Sequence, residues 1–197
     1  MRLRIIFVAV PVAILILLGV AVSQILHDGL SARAKPTRLE ITVARKVRHL
    51  AIPPGARQTG NPVAPSEEVL HDGMMHFADH CAVCHGNDGS GETLFGKGLY
   101  PKPPDLRMRD TQGLSDGELF WIIENGVRFT GMPGFGSPGT QEDSWKLVHF
   151  IRHLPQLSAA EREKMEKNNP KSMEDRREEK QEDDFLNGGA PAPEHHH

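Results

Sequence analysis

The chain has 197 residues, a formal charge of −3 and few aromatic side chains, and its charge is unevenly distributed. Basic residues outnumber acids nine to two over residues 1–65, whereas acids prevail thirteen to seven over 66–157 and eleven to seven over 158–197. We therefore expect one small folded domain in the acidic middle and no nucleic-acid partner. A domain of about ninety residues has a marginal hydrophobic core, so a further source of apolar burial is expected.

The N-terminus combines a short basic end, residues 1–4, with an apolar run over 5–26. As a helix, twenty-two residues extend roughly 33 Å, enough to cross a hydrocarbon core of about 30 Å. The run predicts a transmembrane anchor. A cleaved signal peptide is the alternative, because Ala21 and Ser23 have the spacing of small residues that a signal peptidase prefers.

Residues 27–65 contain many Pro and Gly residues and carry a positive balance, which is typical of a tether. Within it, the stretch 39–43 alternates apolar and polar residues as a strand does. We expect a flexible linker, with a short strand that docks on a partner as the alternative.

Three amphipathic helices are predicted in the segment 66–157. The first begins at Ser66 and runs into the cysteines, and the second begins at a capping box that opens at Ser115. The third runs from Thr140 to Leu154 and is stopped by Pro155. These signals predict an all-α domain with Gly- and Pro-rich loops.

The segment 158–197 is charged and has few large apolar residues, so we expect it to be disordered or to form a solvated helix. It ends in three histidines, residues 195–197, which are either a trimmed purification tag or a weak native metal site.

The most specific motif is Cys81-Ala82-Val83-Cys84-His85, the C-x-x-C-H pattern of covalent haem attachment. Two thiols separated by two residues can reach the two vinyl groups of one haem, and the adjacent His85 then ligates the iron. Structural zinc requires four Cys or His ligands, and the chain has no second cysteine pair. A redox dithiol is typical of a βαβ context, and a disulfide closing so small a loop would stabilise little.

Met132 is the candidate for the sixth iron ligand. It lies in Gly131-Met132-Pro133-Gly134-Phe135, where Gly and Pro exclude a helix and Pro133 stiffens the loop. Most methionines fill gaps in a core, which is our interpretation of Met74, Met75, Met108, Met165 and Met173.

Residues 66–157 resemble the class I c-type cytochromes, particularly the single-haem, membrane-anchored bacterial domains that serve respiratory oxidases and dehydrogenases. The resemblance rests on Gly73 and Phe77 before the cysteines, on CAVCHG and GMPGF, and on two further stretches, 101–106 and 114–119. It implies the small cytochrome c fold, with three to four helices around one covalent haem c and with the first and last helices crossing at Gly73.

The same resemblance implies the roles of further residues. A loop proline carbonyl, for which we choose Pro103, would orient the His85 ring. The haem propionates would face either the region 100–109 or Trp145. Attachment of haem in such proteins occurs outside the cytoplasmic membrane, which implies a single-pass protein with its haem domain on the periplasmic or outer side.

With both axial positions filled, the iron has no vacant site, so we expect electron transfer rather than catalysis on a small-molecule substrate. The first hypothesis is a single-electron carrier that meets redox protein partners while held at the membrane. The alternative is a fixed haem c subunit of a larger respiratory or dehydrogenase complex. A haem enzyme or gas sensor requires that Met132 be absent from the iron.

Two pairs of histidines have a spacing of four residues, His76 with His80 and His149 with His153. Each pair shares a helix face, which allows a second metal site, although surface histidines produce the same spacing by chance.

Overall fold

The computed structural model describes residues 2–28, 31–169 and 180–181, and these contain helices and no strand. The chain divides into two units, Met1–Lys35 and Pro36–His197. The helices are α1 (Arg2–Asp28), α2 (Arg38–Ala51), α3 (Pro54–Gln58), α4 (Glu67–His80), α5 (Ala82–His85), α6 (Leu94–Lys97), α7 (Arg109–Gln112), α8 (Asp116–Asn125), α9 (Gln141–His153), a 3₁₀ turn (Leu154–Gln156) and α10 (Ala159–Asn168). The all-helical prediction is confirmed for these residues.

The first unit consists mainly of α1, which covers the apolar run. Within the part of the chain that the structure describes, no helix has the length and apolarity of a membrane span. The transmembrane anchor over 5–26 stays a prediction from the sequence.

The segment predicted to be a tether is largely helical, so the predictions of a flexible linker and of a strand over 39–43 are wrong. A capping box starts α2: the Thr37 hydroxyl accepts from the Glu40 N–H, while the Glu40 carboxylate accepts from the Thr37 N–H. Ile52, just after α2, is fully buried, and α3 packs on α8. The folded unit therefore begins well before residue 66.

The three predicted helices of the domain are confirmed. The Ser66 hydroxyl caps α4, and Ser115 and Glu118 form the predicted capping box of α8. The third helix, α9, has Thr140 as its N-cap and gives way to the 3₁₀ turn that contains Pro155.

Helices α4 and α9 form the centre of the core and cross at Gly73, as expected. A Cβ atom at Gly73 would lie 2.4 Å from the Lys146 carbonyl oxygen, so only glycine permits this approach. Phe77 and Phe150 meet beside the crossing, with ring centroids 5.2 Å apart. The crossing brings the C-terminal end of α4 and the cysteines that follow it onto a rigid support.

The domain also continues beyond residue 157, which the sequence alone gives as its end. A capping box formed by Ser158 and Glu161 starts α10, which packs on α4 and buries Met165 completely. The start of the charged segment is therefore part of the folded unit rather than a solvated tail. Met173 and the terminal histidines lie outside the described residues.

Candidate functional site

Cys81, Cys84 and His85 occupy one tight turn at the end of α4. The Cys81 N–H donates to the Phe77 carbonyl as the helix ends, and α5 begins at the next residue. The His85 N–H donates to the Cys81 carbonyl at 2.9 Å, which completes a single helical turn around the motif. Gly86 then turns the chain away with a φ of +77°, a conformation that glycine adopts at little cost.

The two cysteines form no disulfide bond. Burial, with a smaller contribution from Cys84, raises the pKa of the Cys81 thiol to about 12, and burial also raises the pKa of Cys84. A redox dithiol attacks as its thiolate, which this environment disfavours. The setting therefore disfavours the redox-dithiol alternative.

The His85 ring is buried, and its Nδ1 has no hydrogen-bond partner of good geometry. Burial lowers the pKa of His85, while the backbone carbonyl of Pro104 acts in the opposite direction. The imidazole is thus held in the neutral form, which is the form that ligates iron.

The carbonyl that interacts with the His85 ring belongs to Pro104 and not to Pro103, the residue chosen from the sequence. The Pro103 carbonyl oxygen instead lies 2.6 Å from the position that a Cβ atom of Gly91 would occupy. The sequence contains two adjacent prolines here, and no local pattern shows which of their carbonyl groups turns toward the ring.

The loop after the motif is fixed to it by hydrogen bonds. The Gly91 N–H donates to the His85 carbonyl at 2.7 Å, and the Thr93 hydroxyl donates to the Val83 carbonyl at 2.9 Å. The Leu106 N–H donates to the Gly89 carbonyl at 2.8 Å, which joins this loop to the proline loop. The loop segments around His85 therefore form one connected support.

Arg107 further ties these loops together, since its guanidinium bonds to Asp88 at 2.7 Å and to Asp105 at 2.8 Å. The Arg107 hydrogen bond holds the pKa of the Asp105 carboxyl below its usual value. The ion pairs place a cation in the region 100–109, which the resemblance associates with the haem propionates.

Met132 lies on a loop that is fixed at both sides. The Met132 N–H donates to the Thr130 hydroxyl at 3.1 Å, and the Met132 carbonyl accepts from the Val127 N–H at 3.1 Å. A Cβ atom at Gly131 would lie 2.8 Å from a methyl carbon of Leu99, which belongs to the loop that follows the haem motif. The fold therefore brings the Met132 loop against the loop that supports His85.

Several large apolar side chains between the motif and the Met132 loop are exposed to solvent. They are Val83, Phe95, Tyr100, Met108 and Phe129. Together with the unpartnered buried nitrogen of His85, these residues fit a large apolar prosthetic group.

Trp145 is buried and stacks on Phe120, with ring centroids 4.0 Å apart and planes 7° apart. Its carbonyl accepts from the Asn61 side-chain amide at 3.0 Å. Trp145 thus packs α8 against α9, and its role in a haem pocket stays a prediction.

The other histidine pairs form no metal centre in the described part of the chain, where no group of three or more His, Cys, Asp or Glu residues could hold a metal ion. The His149 ring bonds to the Val63 carbonyl and the His153 ring to Glu161, each at 2.8 Å. The His76 and His80 rings contact each other, with centroids 4.9 Å apart, beside a groove of about 370 Å³ between α4 and α9.

Comparison with known proteins identifies the segment that carries this site. Residues 68–151 match the family described as cytochrome c oxidase, cbb3-type, subunit III. This segment is a class I c-type cytochrome domain. The prosthetic group of the c-type cytochrome is covalent haem c, and the matched residues include the C-x-x-C-H motif and Met132.

Other comparisons are more distant. No curated protein matches the chain. Among solved structures, a chain of the reducing HAO-like protein complex of Kuenenia stuttgartiensis is 24% identical, with a TM-score of 0.44. The match covers 47% of this chain and 46% of that one, so it spans about half the length of each.

Proposed function

We propose that this c-type cytochrome is a single-electron carrier with one covalent haem, ligated by His85 and Met132. The observation that carries the proposal is the packing of the Gly131–Met132 loop against Leu99, on the loop that supports the His85 turn. Ligands on two such loops can occupy opposite faces of one haem. Bound haem supplies the one-electron chemistry through its iron.

The protein's own residues would attach the haem and close its iron to other ligands. Cys81 and Cys84 would hold the haem through thioether bonds to its two vinyl groups, each thiol giving its proton to the neighbouring vinyl carbon. The neutral His85 imidazole and the Met132 thioether would supply the two protein ligands of the iron. With both ligands in place, oxygen or a substrate would have no site to bind, and electron transfer would need little rearrangement.

Carbon monoxide provides the test, because it binds only to reduced haem iron with an open or easily vacated axial position. We expect the reduced wild-type protein not to bind it. Met132→Ala should bind it readily and show a lower reduction potential, whereas Met108→Ala, at an exposed methionine, should behave as wild type. Ready binding by the wild type, or a Met132→Ala variant indistinguishable from it, would refute the ligation.

The second candidate is a fixed subunit of a larger complex, which the family description favours because it names an oxidase subunit. A carrier forms small, transient contacts with its partners, whereas a subunit forms a larger and more apolar interface. Extraction of membranes in mild detergent with increasing salt separates the two. A carrier leaves its partners as salt rises, and a fixed subunit stays with them.

We further propose that the protein is attached to the bacterial cytoplasmic membrane through residues 5–26, with the haem domain on the outer side. The support is the sequence of this run and the exposure of the apolar side chains described along α1, from Val10 to Leu26. Alkaline extraction should leave an anchored protein in the membrane pellet. N-terminal sequencing that begins near residue 24 would instead identify a cleaved signal peptide.

A further inference from the structure

Helix α2 has an apolar stripe that faces solvent. Leu39, Val43, Val47 and Leu50 are 72%, 50%, 58% and 77% exposed, respectively. Their spacing of four, four and three residues places them on one side of the helix. An amphipathic helix normally turns such a side toward the core, so the orientation of α2 requires an explanation.

The opposite side of α2 is bound to the haem domain through charged groups. The His49 ring contacts Glu118 at 3.0 Å, and Arg45 contacts Asp110 at 2.5 Å. Ile41, on the same side, is partly buried.

Glu118 is buried, so losing the His49 contact would weaken the pairing of a buried carboxylate, which is costly. Rolling α2 to bury its stripe would therefore sacrifice favourable contacts. These contacts favour the orientation in which the stripe is exposed, and this orientation leaves an apolar surface for another molecule.

The charge of α2 indicates which kind of molecule contacts its apolar stripe. Its fourteen residues include four Lys or Arg and one Glu, a formal charge of +3, whereas residues 66–157 carry thirteen acids against seven bases. Lys46 lies three residues after Val43 and four before Leu50, at the edge of the stripe. Apolar residues bordered by cations match the headgroup region of a membrane that contains anionic lipids.

The position of α2 in the chain agrees with this ligand. Eleven residues separate Leu26, the last residue of the apolar run, from Arg38, the first of α2. Fully extended, that connection reaches at most about 40 Å. If residues 5–26 attach the protein to a membrane, α2 stays close to its surface.

We propose that α2 lies in the headgroup layer of an anionic membrane with its apolar stripe inserted, and that it holds the haem domain in a fixed orientation at the surface. The proposal rests on the membrane attachment proposed above. It adds a second contact, made by the folded unit itself, which restricts how the haem domain can turn toward a partner.

The test uses the full, haem-loaded chain in vesicles of phosphatidylcholine and phosphatidylglycerol. Because Cys81 and Cys84 are bonded to haem, a single added cysteine takes an environment-sensitive fluorophore. Val43→Cys places it in the centre of the stripe. Ala44→Cys is the matched control, since the next residue is exposed and lies about 100° around the helix.

The emission of the fluorophore on Val43→Cys, called the Val43 label, should shift to shorter wavelength, and brominated lipid should quench it several-fold. The emission of the fluorophore on Ala44→Cys, the Ala44 label, should change little. Lys46→Glu, or vesicles without phosphatidylglycerol, should reduce the effect. If the protein sediments with vesicles but the Val43 label stays in water, the α2 proposal fails and attachment through 5–26 stands. If the Val43 label inserts but salt releases the protein, the attachment fails and the α2 proposal stands.

Two further outcomes overturn the α2 proposal. Shielding of the Val43 label without quenching by brominated lipid would identify a protein, such as a second copy of this chain, as the occupant of the stripe. A protein that stays in the supernatant would refute both the membrane contact of α2 and the attachment through 5–26.

Discussion

The crossing of α4 and α9 makes a quantitative prediction for Gly73→Ala. The added Cβ atom would lie 2.4 Å from the Lys146 carbonyl oxygen and 3.1 Å from the Phe150 Cβ, where ordinary contact begins near 3.4 Å. The two helices would have to separate by about 1 Å, since the obstructing oxygen belongs to the backbone and cannot rotate away.

The free energy follows from two opposing effects. Overpacking of a core costs about 1–3 kcal/mol, and alanine in place of a helical glycine returns up to about 1 kcal/mol. We expect Gly73→Ala to lower the free energy of unfolding by about 1–2 kcal/mol, which is roughly 3–12 °C in Tm for a folded unit that extends from α2 to α10.

Thermal unfolding followed by circular dichroism measures this change. The control is Gly55→Ala in α3, where an added Cβ atom meets nothing within 4 Å, and its Tm should be unchanged or slightly raised. A Gly73→Ala protein as stable as wild type would show that the helices do not approach as closely as described.

Three further predictions concern the segments around the haem domain. Gly117→Ala would place a Cβ atom 1.8 Å from the Ala56 carbonyl oxygen, which would weaken the packing of α3 on α8. Trypsin should therefore cleave residues 36–58 faster than in the wild type. An unchanged cleavage rate would contradict the docking of α3 on α8. Met165→Ala should cost about 2–5 kcal/mol in unfolding experiments, because it empties a fully buried site; a smaller loss would show that α10 is not part of the core. Burial, and to a smaller extent the charge of His80, lowers the pKa of His76 in the folded protein. The stability that the neutral His76 ring contributes is therefore complete above the unfolded pKa of about 6.5, and it is lost as the pH falls through the lower folded pKa. His76→Gln should reduce the fall in Tm between pH 7 and pH 5, and an equal fall in both proteins would contradict this assignment.

Much of the domain could be predicted because its signals are local. Ser66 and Ser115 have side chains that satisfy the first N–H groups of their helices, and those bonds form wherever the tertiary structure permits. Gly73 was predictable for a different reason, since the resemblance to a known family supplied the crossing. The C-x-x-C-H motif specifies its own local geometry, because all its groups lie within one turn.

The errors at both ends of the domain share one physical cause. Thr37 with Glu40, and Ser158 with Glu161, are capping boxes with the same spacing as the one at Ser115. The many Pro and Gly residues of 27–65 indicated a tether, and the few large apolar residues of 158–197 indicated a tail. The contacts that fix these helices, such as the ion pair of Arg45 with Asp110 and the burial of Met165, join residues far apart in the chain and leave no local pattern.

The carbonyl near His85 was missed for a similar reason. The sequence does not distinguish Pro103 from Pro104, and in the structure it is the Pro104 carbonyl that interacts with the ring while the Pro103 carbonyl approaches Gly91. Loop geometry of this kind depends on the packing of two separate segments. The direction of the Met132 side chain likewise depends on its neighbours, and the ligand role of Met132 is therefore the part of the site that most needs an experiment.

The most direct test of the central claim is the intact mass of the protein, produced in cells that attach haem to C-x-x-C-H motifs and measured after denaturation in acidified organic solvent. We predict the mass of the polypeptide plus one haem for the wild type, and the mass of the bare polypeptide for a variant that combines Cys81→Ala with Cys84→Ala. A wild-type protein that loses all its haem in the solvent would contradict covalent attachment through Cys81 and Cys84.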